Sequence, residues 1–189
     1  MRSNPNYNHV KINISKSKHQ EVLRIDAIFH RTSVRKFLDK PVEKEKIEKI
    51  LRAAMAAPSA KNQQPWEFYV VTDKEKLVEL SKVSPYSMSA KNGPLAFVPC
   101  YRTQCPAPAY THIDLSASVE NILLEADTLE LGAVWLGVCP EEDRIATVRK
   151  ILDIPDTLVP FAIIPCGYPQ KIRPQQDRFE KERIHYVIS

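Results

Sequence analysis

Arg31-Thr32-Ser33-Val34-Arg35-Lys36-Phe37 places three cations and two hydroxyls within six residues, directly after the apolar positions Ile25, Ile28 and Phe29. Neither an amphipathic helix nor a strand requires that composition. Arginine side chains bind phosphate oxygens in a bidentate manner, and a lysine and short hydroxyls add further bonds. The stretch therefore indicates a binding site for a phosphate-bearing ligand at the end of a helix. A solvated turn with adjacent charges is the alternative, and this stretch alone does not decide between them.

Length and charge narrow the class of protein. The 189 residues fit one domain with a sizeable core, and 43% hydrophobic with 26% charged residues is ordinary for a globular protein. The net charge of +4 is small and dispersed, which argues against nucleic acid as the main partner. No apolar stretch approaches the roughly 18 residues of a membrane span. The polar N-terminus lacks an apolar signal region, so we expect a cytoplasmic protein.

Cysteine and glycine usage excludes several common kinds of site. The four cysteines form no Cys-x-x-Cys pair, so a disulfide framework is not expected. Cys100, Cys105 and His112 match no standard zinc spacing, and we predict no metal site. The chain contains neither Gly-x-Gly-x-x-Gly nor a P-loop pattern. Any phosphate must therefore be held by side chains.

Hydrophobic periodicity and turn residues predict an interleaved series of helices and strands. We predict helices that end near His30, run between Pro41 and Pro58, open at the capping box 72–75, run from Asp114 to Leu131, and span 141–152. We predict strands at 66–71, 95–100, 133–138, 161–166 and 185–188. Asp114 is expected to cap its helix, with Gly132 in the helix-ending position. Pro99 implies an edge position or a bulge for its strand.

The class that follows is α+β or α/β, with a central sheet of four or five strands flanked by helices. Residues 1–24 are predicted to be a polar N-terminal extension, and residues 25–189 the folded domain.

A second informative stretch is Ala57-Pro58-Ser59-Ala60-Lys61-Asn62-Gln63-Gln64-Pro65-Trp66. It presents several short hydrogen-bonding side chains between a helix that ends at a proline and a strand that starts at a tryptophan. A plain helix-to-strand connector uses the same residue types, and this reading stays open on the loop alone. Ten residues is somewhat long for a connector.

Together these stretches resemble the N-terminal signature of the nitroreductase family: Arg31-Thr32-Ser33-Val34-Arg35, then Pro58-Ser59-x-x-Asn62-x-Gln64-Pro65-Trp66. The resemblance continues through residues 118–126, 131–137, 163–169 and 177–179, in the family's order, and covers roughly residues 25–188. Members are interlocked homodimeric flavoproteins that hold FMN at the subunit interface, with a mostly antiparallel sheet.

The resemblance also implies roles for individual residues. Arg31, Thr32, Ser33 and Arg35 match positions that bind the phosphate, ribityl chain and pyrimidine edge of FMN. The matching loop positions that reach the flavin from the other subunit are Pro58, Ser59, Asn62 and Gln64. The segment Trp135, Leu136, Gly137 and Val138 matches the one against the isoalloxazine, with a backbone amide near Gly137 pointing at N5. Arg178 matches a second phosphate-contacting cation.

Three departures from the family pattern concern binding and substrate. Gln176 stands where relatives often carry lysine, and Thr32 where arginine or histidine is common. Residues 102–111 bear little likeness to the family, near where substrates and nicotinamide would approach. No side chain stands out as a nucleophile, in keeping with chemistry carried by a flavin.

The function implied is an FMN-dependent oxidoreductase that passes a hydride from NAD(P)H through flavin N5 to nitroaromatics, quinones or similar acceptors by a ping-pong mechanism. The alternative is a flavin-binding or sensing protein of the same fold without efficient turnover. A third reading is dehalogenation or flavin fragmentation, whose catalysts usually bring a lid insertion that this chain lacks. The expected partner is a second copy of the chain, to which the strand at 185–188 could be lent.

Overall fold

The computed structural model describes residues 27–171, 174–175 and 177–188. Within them the chain forms five α-helices: α1 (Ala27–His30), α2 (Lys44–Met55), α3 (Lys74–Leu80), α4 (Thr111–Thr128) and α5 (Glu142–Leu152). The six strands are β1 (Trp66–Val71), β2 (Leu95–Arg102), β3 (Gly132–Ala133), β4 (Leu136–Gly137), β5 (Leu158–Pro160) and β6 (Ala162–Gly167). The predicted extension at 1–24 and the departure at Gln176 lie outside the described residues.

The sheet has the order β1-β2-β6-β3, with β5 paired to β2 and β4 paired to β6, and all these pairings are antiparallel. This confirms the predicted α+β class. The prediction of four or five strands was too low, because the predicted strand 133–138 divides into β3 and β4 and because β5 was not predicted. β5 and β6 both pair with β2, and the register against β2 shifts by one residue at Phe161, as at a β-bulge. Residues 134–135 separate β3 from β4.

The core lies in two layers, one on each face of the sheet. Alternate residues of β2 point to opposite faces, as the two-residue period of a strand requires. Leu95 and Phe97 pack with α2 and α4, whereas Ala96 and Val98 pack with α3 and α5. The protein is therefore a three-layer sandwich with helices on both faces of one sheet.

Pro99 does not mark an edge strand; it lies opposite a bulge, the alternative that the prediction also allowed. β2 lies inside the sheet, between β1 and β6. The carbonyl of Pro99 accepts a hydrogen bond from Phe161 N at 2.8 Å, at the break between β5 and β6. The proline falls where one neighbouring strand gives way to the next, so its missing N–H leaves the regular ladder intact.

Two helix boundaries differ from the prediction. α4 begins at Thr111, so Asp114 lies inside its first turn instead of capping it, and Gly132 belongs to β3. The N-cap of α3 is Asp73, which accepts a hydrogen bond from Lys76 N at 3.0 Å. The carboxylate of Asp73 thus takes the capping role that the predicted capping box gave to Thr72.

Residues 185–188 form no strand in the described chain, contrary to prediction. Tyr186 is 74% exposed and Val187 102% exposed. An apolar segment forms a strand only where another strand offers it backbone partners, and none of the strands that the structure describes pairs with it. In the described part of the chain, no helix is long and apolar enough to cross a membrane.

Candidate functional site

Residues 31–37 run along the outer edge of β3. Ser33 forms a parallel bridge with Ala133, and Val34 N donates to Ala133 O at 3.0 Å. Val34 and Phe37 are buried, whereas Ser33, Arg35 and Lys36 are exposed. The two apolar side chains therefore anchor the segment and leave its hydroxyls and cations facing outward.

A first cavity, of about 420 Å³, opens against this segment. Its lining residues are Thr32, Ser33, Val34, Arg35, Lys36, Gln170 and Lys171. Gln170 fixes the segment from the other side, since its backbone N donates to Lys36 O at 3.1 Å and its Nε2 to Phe37 O at 2.9 Å. Three cations and two hydroxyls thus converge on one concave surface.

Those three cations are free to bind an anion. Among the described residues, no carboxylate lies within ion-pair distance of Arg35, Lys36 or Lys171. A cluster of like charges without counter-ions favours a bound anion, and phosphate suits the forked guanidinium. Lys171 and Gln170 were not predicted, although they directly follow the recognised block at 163–169.

A second cavity, of about 620 Å³, lies between Arg35 and Lys36 on one side and the β4 edge on the other. Its remaining lining residues are Pro85, Tyr86, Met88, Ser89, Asn92, Trp135, Leu136 and Gly137. Asn92 Nδ2 donates to Arg35 O at 3.3 Å. Arg35 and Lys36 line both cavities, so the two spaces adjoin at these cations.

The backbone of β4 turns hydrogen-bonding groups toward this space. The N–H groups of Val134 and Val138 bond to Pro165 O and Phe161 O, which places them on the β6 side. Because the groups of successive residues alternate in an antiparallel strand, those of Trp135 and Gly137 point away from β6. The carbonyl of Gly137 accepts from Arg144 Nη1 at 3.2 Å, as this direction requires.

Gly137 is the glycine that the chain's own packing does not explain. A Cβ at Gly132 would lie 2.5 Å from Val34 Cγ2, and one at Gly167 would lie 2.5 Å from Pro94 Cδ. A Cβ at Gly137 would meet no atom within 4 Å among the residues that the structure describes. A glycine beside an open cavity fits a ligand that approaches the backbone closely. The residues present therefore fit a phosphate-bearing group whose body lies along β4.

Leu136 and Val138 contribute to this site differently from Gly137. The side chains of both are buried in the core formed with α3 and α5. Trp135 is half-buried, and its ring lies 5.7 Å from that of Phe161, between centroids. Only the backbone of β4 and the edge of Trp135 are thus available to a ligand.

The loop residues Pro58, Ser59, Asn62 and Gln64 are not among those that line either cavity. They lie on a turn between α2 and β1, where Lys61, Asn62 and Gln64 have positive φ. Ser59 Oγ accepts from Gln64 N at 3.0 Å, and Gln64 Nε2 donates to Asn62 Oδ1 at 3.2 Å.

The two remaining predicted cations lie apart from Arg35. Arg31 Nε is 3.5 Å from Glu120 Oε1, and Arg31 lines neither of the cavities described above. Arg178 lines a separate cavity of about 510 Å³ together with Ile28 and Phe29. Within this one chain, Arg35 is therefore the predicted arginine that meets the β4 edge.

His112 contacts neither of the cysteines considered with it as metal ligands. Its Nε2 lies 3.1 Å from Tyr101 Oη and 3.3 Å from Cys139 Sγ. Burial raises the pKa of the Cys139 thiol and raises that of Tyr101 to about 12. Among the residues that the structure describes, no three His, Cys, Asp or Glu side chains are grouped to hold a metal ion.

The three-layer α+β fold, with a cationic cavity beside the open β4 edge, defines a class of protein suited to binding a phosphate-bearing ligand. The sequence profile described as the nitroreductase family matches residues 28–105 and 102–168. The chain belongs to the nitroreductase family, as the sequence motifs predicted.

Individual relatives agree with this assignment. A Methanothermobacter thermautotrophicus protein, provisionally named NADH dehydrogenase/NAD(P)H nitroreductase, is 40% identical over 181 residues, or 94% of each chain. A crystal structure of a provisionally named NADH oxidase from Clostridium acetobutylicum is 45% identical, with a TM-score of 0.84 over 87% of this chain and 100% of that one. An FMN-dependent nitroreductase from Clostridium difficile is 32% identical, with a TM-score of 0.80 over 86% of this chain and 98% of that one.

Proposed function

We propose that the chain is an FMN-dependent oxidoreductase that takes a hydride from NADH or NADPH and passes it to nitroaromatic compounds, quinones or similar acceptors by a ping-pong mechanism. The observation that carries the proposal is that Arg35 and Gly137 line one cavity. Arg35 also lines the first cavity, whose three cations suit the phosphate end of FMN. An exposed backbone edge at a glycine suits its ring. The FMN-dependent relative supports the same cofactor.

The phosphate is assigned to the first cavity. Arg35, Lys36 and Lys171 supply charge, and the hydroxyls of Thr32 and Ser33 supply neutral hydrogen bonds. A hydrogen bond from a charged group contributes about 1.5–3 kcal/mol when it is shielded from water. These groups set affinity and orientation, and none of them takes part in electron transfer.

The β4 edge is assigned to the ring. When bound, FMN supplies hydride transfer at N5, which no amino-acid side chain can perform. The outward backbone amide of Gly137 offers a donor to the ring edge, and Trp135 offers an apolar flank. The chain needs no nucleophile or general base for this reaction, in keeping with a site built from cations and backbone groups.

The assembly in the proposal is a homodimer in which each loop 58–64 serves the flavin of its neighbour. The loop lines neither cavity of its own chain. The exposed segment 184–188, with Val187 102% exposed, gives a second reason to expect a neighbouring subunit, which would cover it.

The test is steady-state turnover with added FMN. Purified protein supplied with FMN and NADPH or NADH should reduce a quinone or a nitroaromatic compound, with parallel-line kinetics that report a ping-pong scheme. Protein that binds FMN but leaves both acceptors unchanged with either nicotinamide would instead be a flavin-binding protein without turnover. Protein that takes up no FMN would overturn the proposal.

A further inference from the structure

We infer that Asp114 and Gln63 are positioning residues that hold the loop 58–64 in the shape with which it reaches FMN. The inference rests on the proposed function, in which this loop serves the partner subunit's cofactor. It adds two residues that do not themselves touch the cofactor in that proposal.

Asp114 is a buried carboxylate aimed at the loop. It is 3% exposed. Its Oδ1 accepts from Ala60 N at 2.9 Å, and its Oδ2 accepts from Gln63 Nε2 at 2.6 Å. Its place in the first turn of α4 suits a negative charge, because the helix dipole is positive there. The carboxylate belongs to α4, but both of its oxygens accept hydrogen bonds from the loop 58–64.

Gln63 extends this network to a second loop. Its Nε2 also donates to Ala107 O at 2.9 Å, and its Oε1 accepts from Ala107 N at 2.7 Å. The carboxylate of Asp114 only accepts, so the amide nitrogen must face it and the amide oxygen must face Ala107 N. The orientation of Gln63 is therefore fixed by its partners, and its bonds connect the two loops.

The loop needs such an anchor because its backbone is strained. Lys61, Asn62 and Gln64 have φ values of 51°, 52° and 43°, and none of them is a glycine. Residues with side chains hold this conformation only where surrounding contacts impose it. Asp114 binds Ala60 and Gln63, which directly follow Ser59 and Asn62 in the chain. The buried bonds thus fix the neighbours of the two side chains that are proposed to meet FMN.

The isosteric variant Asp114→Asn tests the inference. An asparagine turns an NH₂ group toward one of the two donors that Asp114 now accepts, so one bond is lost and two donors face each other. The FMN dissociation constant should rise at least tenfold in a fluorescence titration. The visible circular dichroism of the FMN-saturated protein should also change, because a misplaced loop alters the surroundings of the ring. A loss of stability alone would leave that spectrum as in the wild type.

Thr111→Val is the matched control. It removes a hydrogen bond from Thr111 Oγ1 to Pro108 O (2.9 Å) in the same buried turn of α4, and it leaves the loop 58–64 untouched. Its FMN dissociation constant should stay within twofold of the wild-type value. Gln63→Met, which keeps the side-chain length, provides a second variant with the same expected loss should Asp114→Asn fold poorly.

The outcomes separate this inference from the proposed function. Wild-type protein that binds no FMN overturns both. Wild-type protein that binds FMN, alongside folded Asp114 and Gln63 variants with unchanged affinity and spectrum, overturns only the positioning role.

Discussion

Val34 fills the space that a side chain at position 132 would occupy. A Cβ on Gly132 would lie 2.5 Å from Val34 Cγ2 and 2.6 Å from Val34 Cβ. This contact, together with the bond from Val34 N to Ala133 O, fastens the segment 31–37 to the edge of the sheet. The outward direction of Arg35 and Lys36 depends on that attachment.

Gly132→Ala should therefore destabilise the protein. The added methyl group overlaps Val34, and overpacking of this kind typically costs about 1–3 kcal/mol. Urea denaturation followed by circular dichroism should show a lower midpoint with an unchanged slope. Gly132→Ala should lower the midpoint by less in a Val34→Ala background than in the wild type, because Val34→Ala removes part of the side chain that the methyl group overlaps. An unchanged midpoint for Gly132→Ala would contradict the packing described here.

Gly137→Ala should instead leave stability nearly unchanged and weaken FMN binding. In the described part of the chain its methyl group would meet nothing within 4 Å, so the free energy of unfolding without cofactor should change by less than about 0.5 kcal/mol. The same methyl group would project into the space assigned to the flavin ring, so FMN binding should weaken. Fluorescence titration measures the affinity, and Gly132→Ala serves as the converse control. Unaltered FMN affinity in Gly137→Ala would exclude close approach of the cofactor to this residue.

Arg35→Ala should weaken FMN binding by about 10- to 100-fold, which corresponds to the loss of one charge-assisted bond to phosphate. Riboflavin, which lacks the phosphate, should lose much less affinity. Arg52→Ala is the matched control, because Arg52 is 76% exposed and pairs with Glu48 on α2, away from both cavities. Equal losses for FMN and riboflavin would move the phosphate away from Arg35.

Cys166 should make stability depend on pH in the alkaline range. Burial raises the pKa of its thiol to about 12, from an ordinary value of 9.0. A raised pKa means that the folded state holds the proton more tightly, so this contribution is complete below about pH 9 and is lost as pH rises toward 12. The difference in unfolding free energy between the wild type and Cys166→Ala should narrow over that range. A difference that stays constant would show that the thiol does not titrate with unfolding.

Periodicity was sufficient to predict much of the fold. The continuous apolar run of β2 and the apolar stripe of α2 report burial directly, so those elements lie where the sequence placed them. Pro99 left an edge strand and a bulge open, because the bulge that decides between them lies at Phe161, on another segment of the sheet. The segment 185–188 has strand composition, but pairing depends on neighbours and not on composition.

The candidate site was predictable where it is local in sequence. The cations of the cluster 31–37 can be read from the sequence. In the structure Arg35 lines the same cavity as Gly137, which is about a hundred positions further along the chain. Lys171 joins the cluster only through the fold. Asp114 resembled a helix cap from sequence, because its true partners, Ala60 and Gln63, lie 54 and 51 positions away.

Anaerobic stopped-flow mixing of the FMN-loaded protein with NADH or NADPH tests the proposed hydride transfer. Absorbance in the flavin bands should bleach within seconds with at least one of the two nicotinamides, and should return when a quinone is added. Bound FMN that keeps its absorbance with both nicotinamides would contradict the proposed hydride transfer.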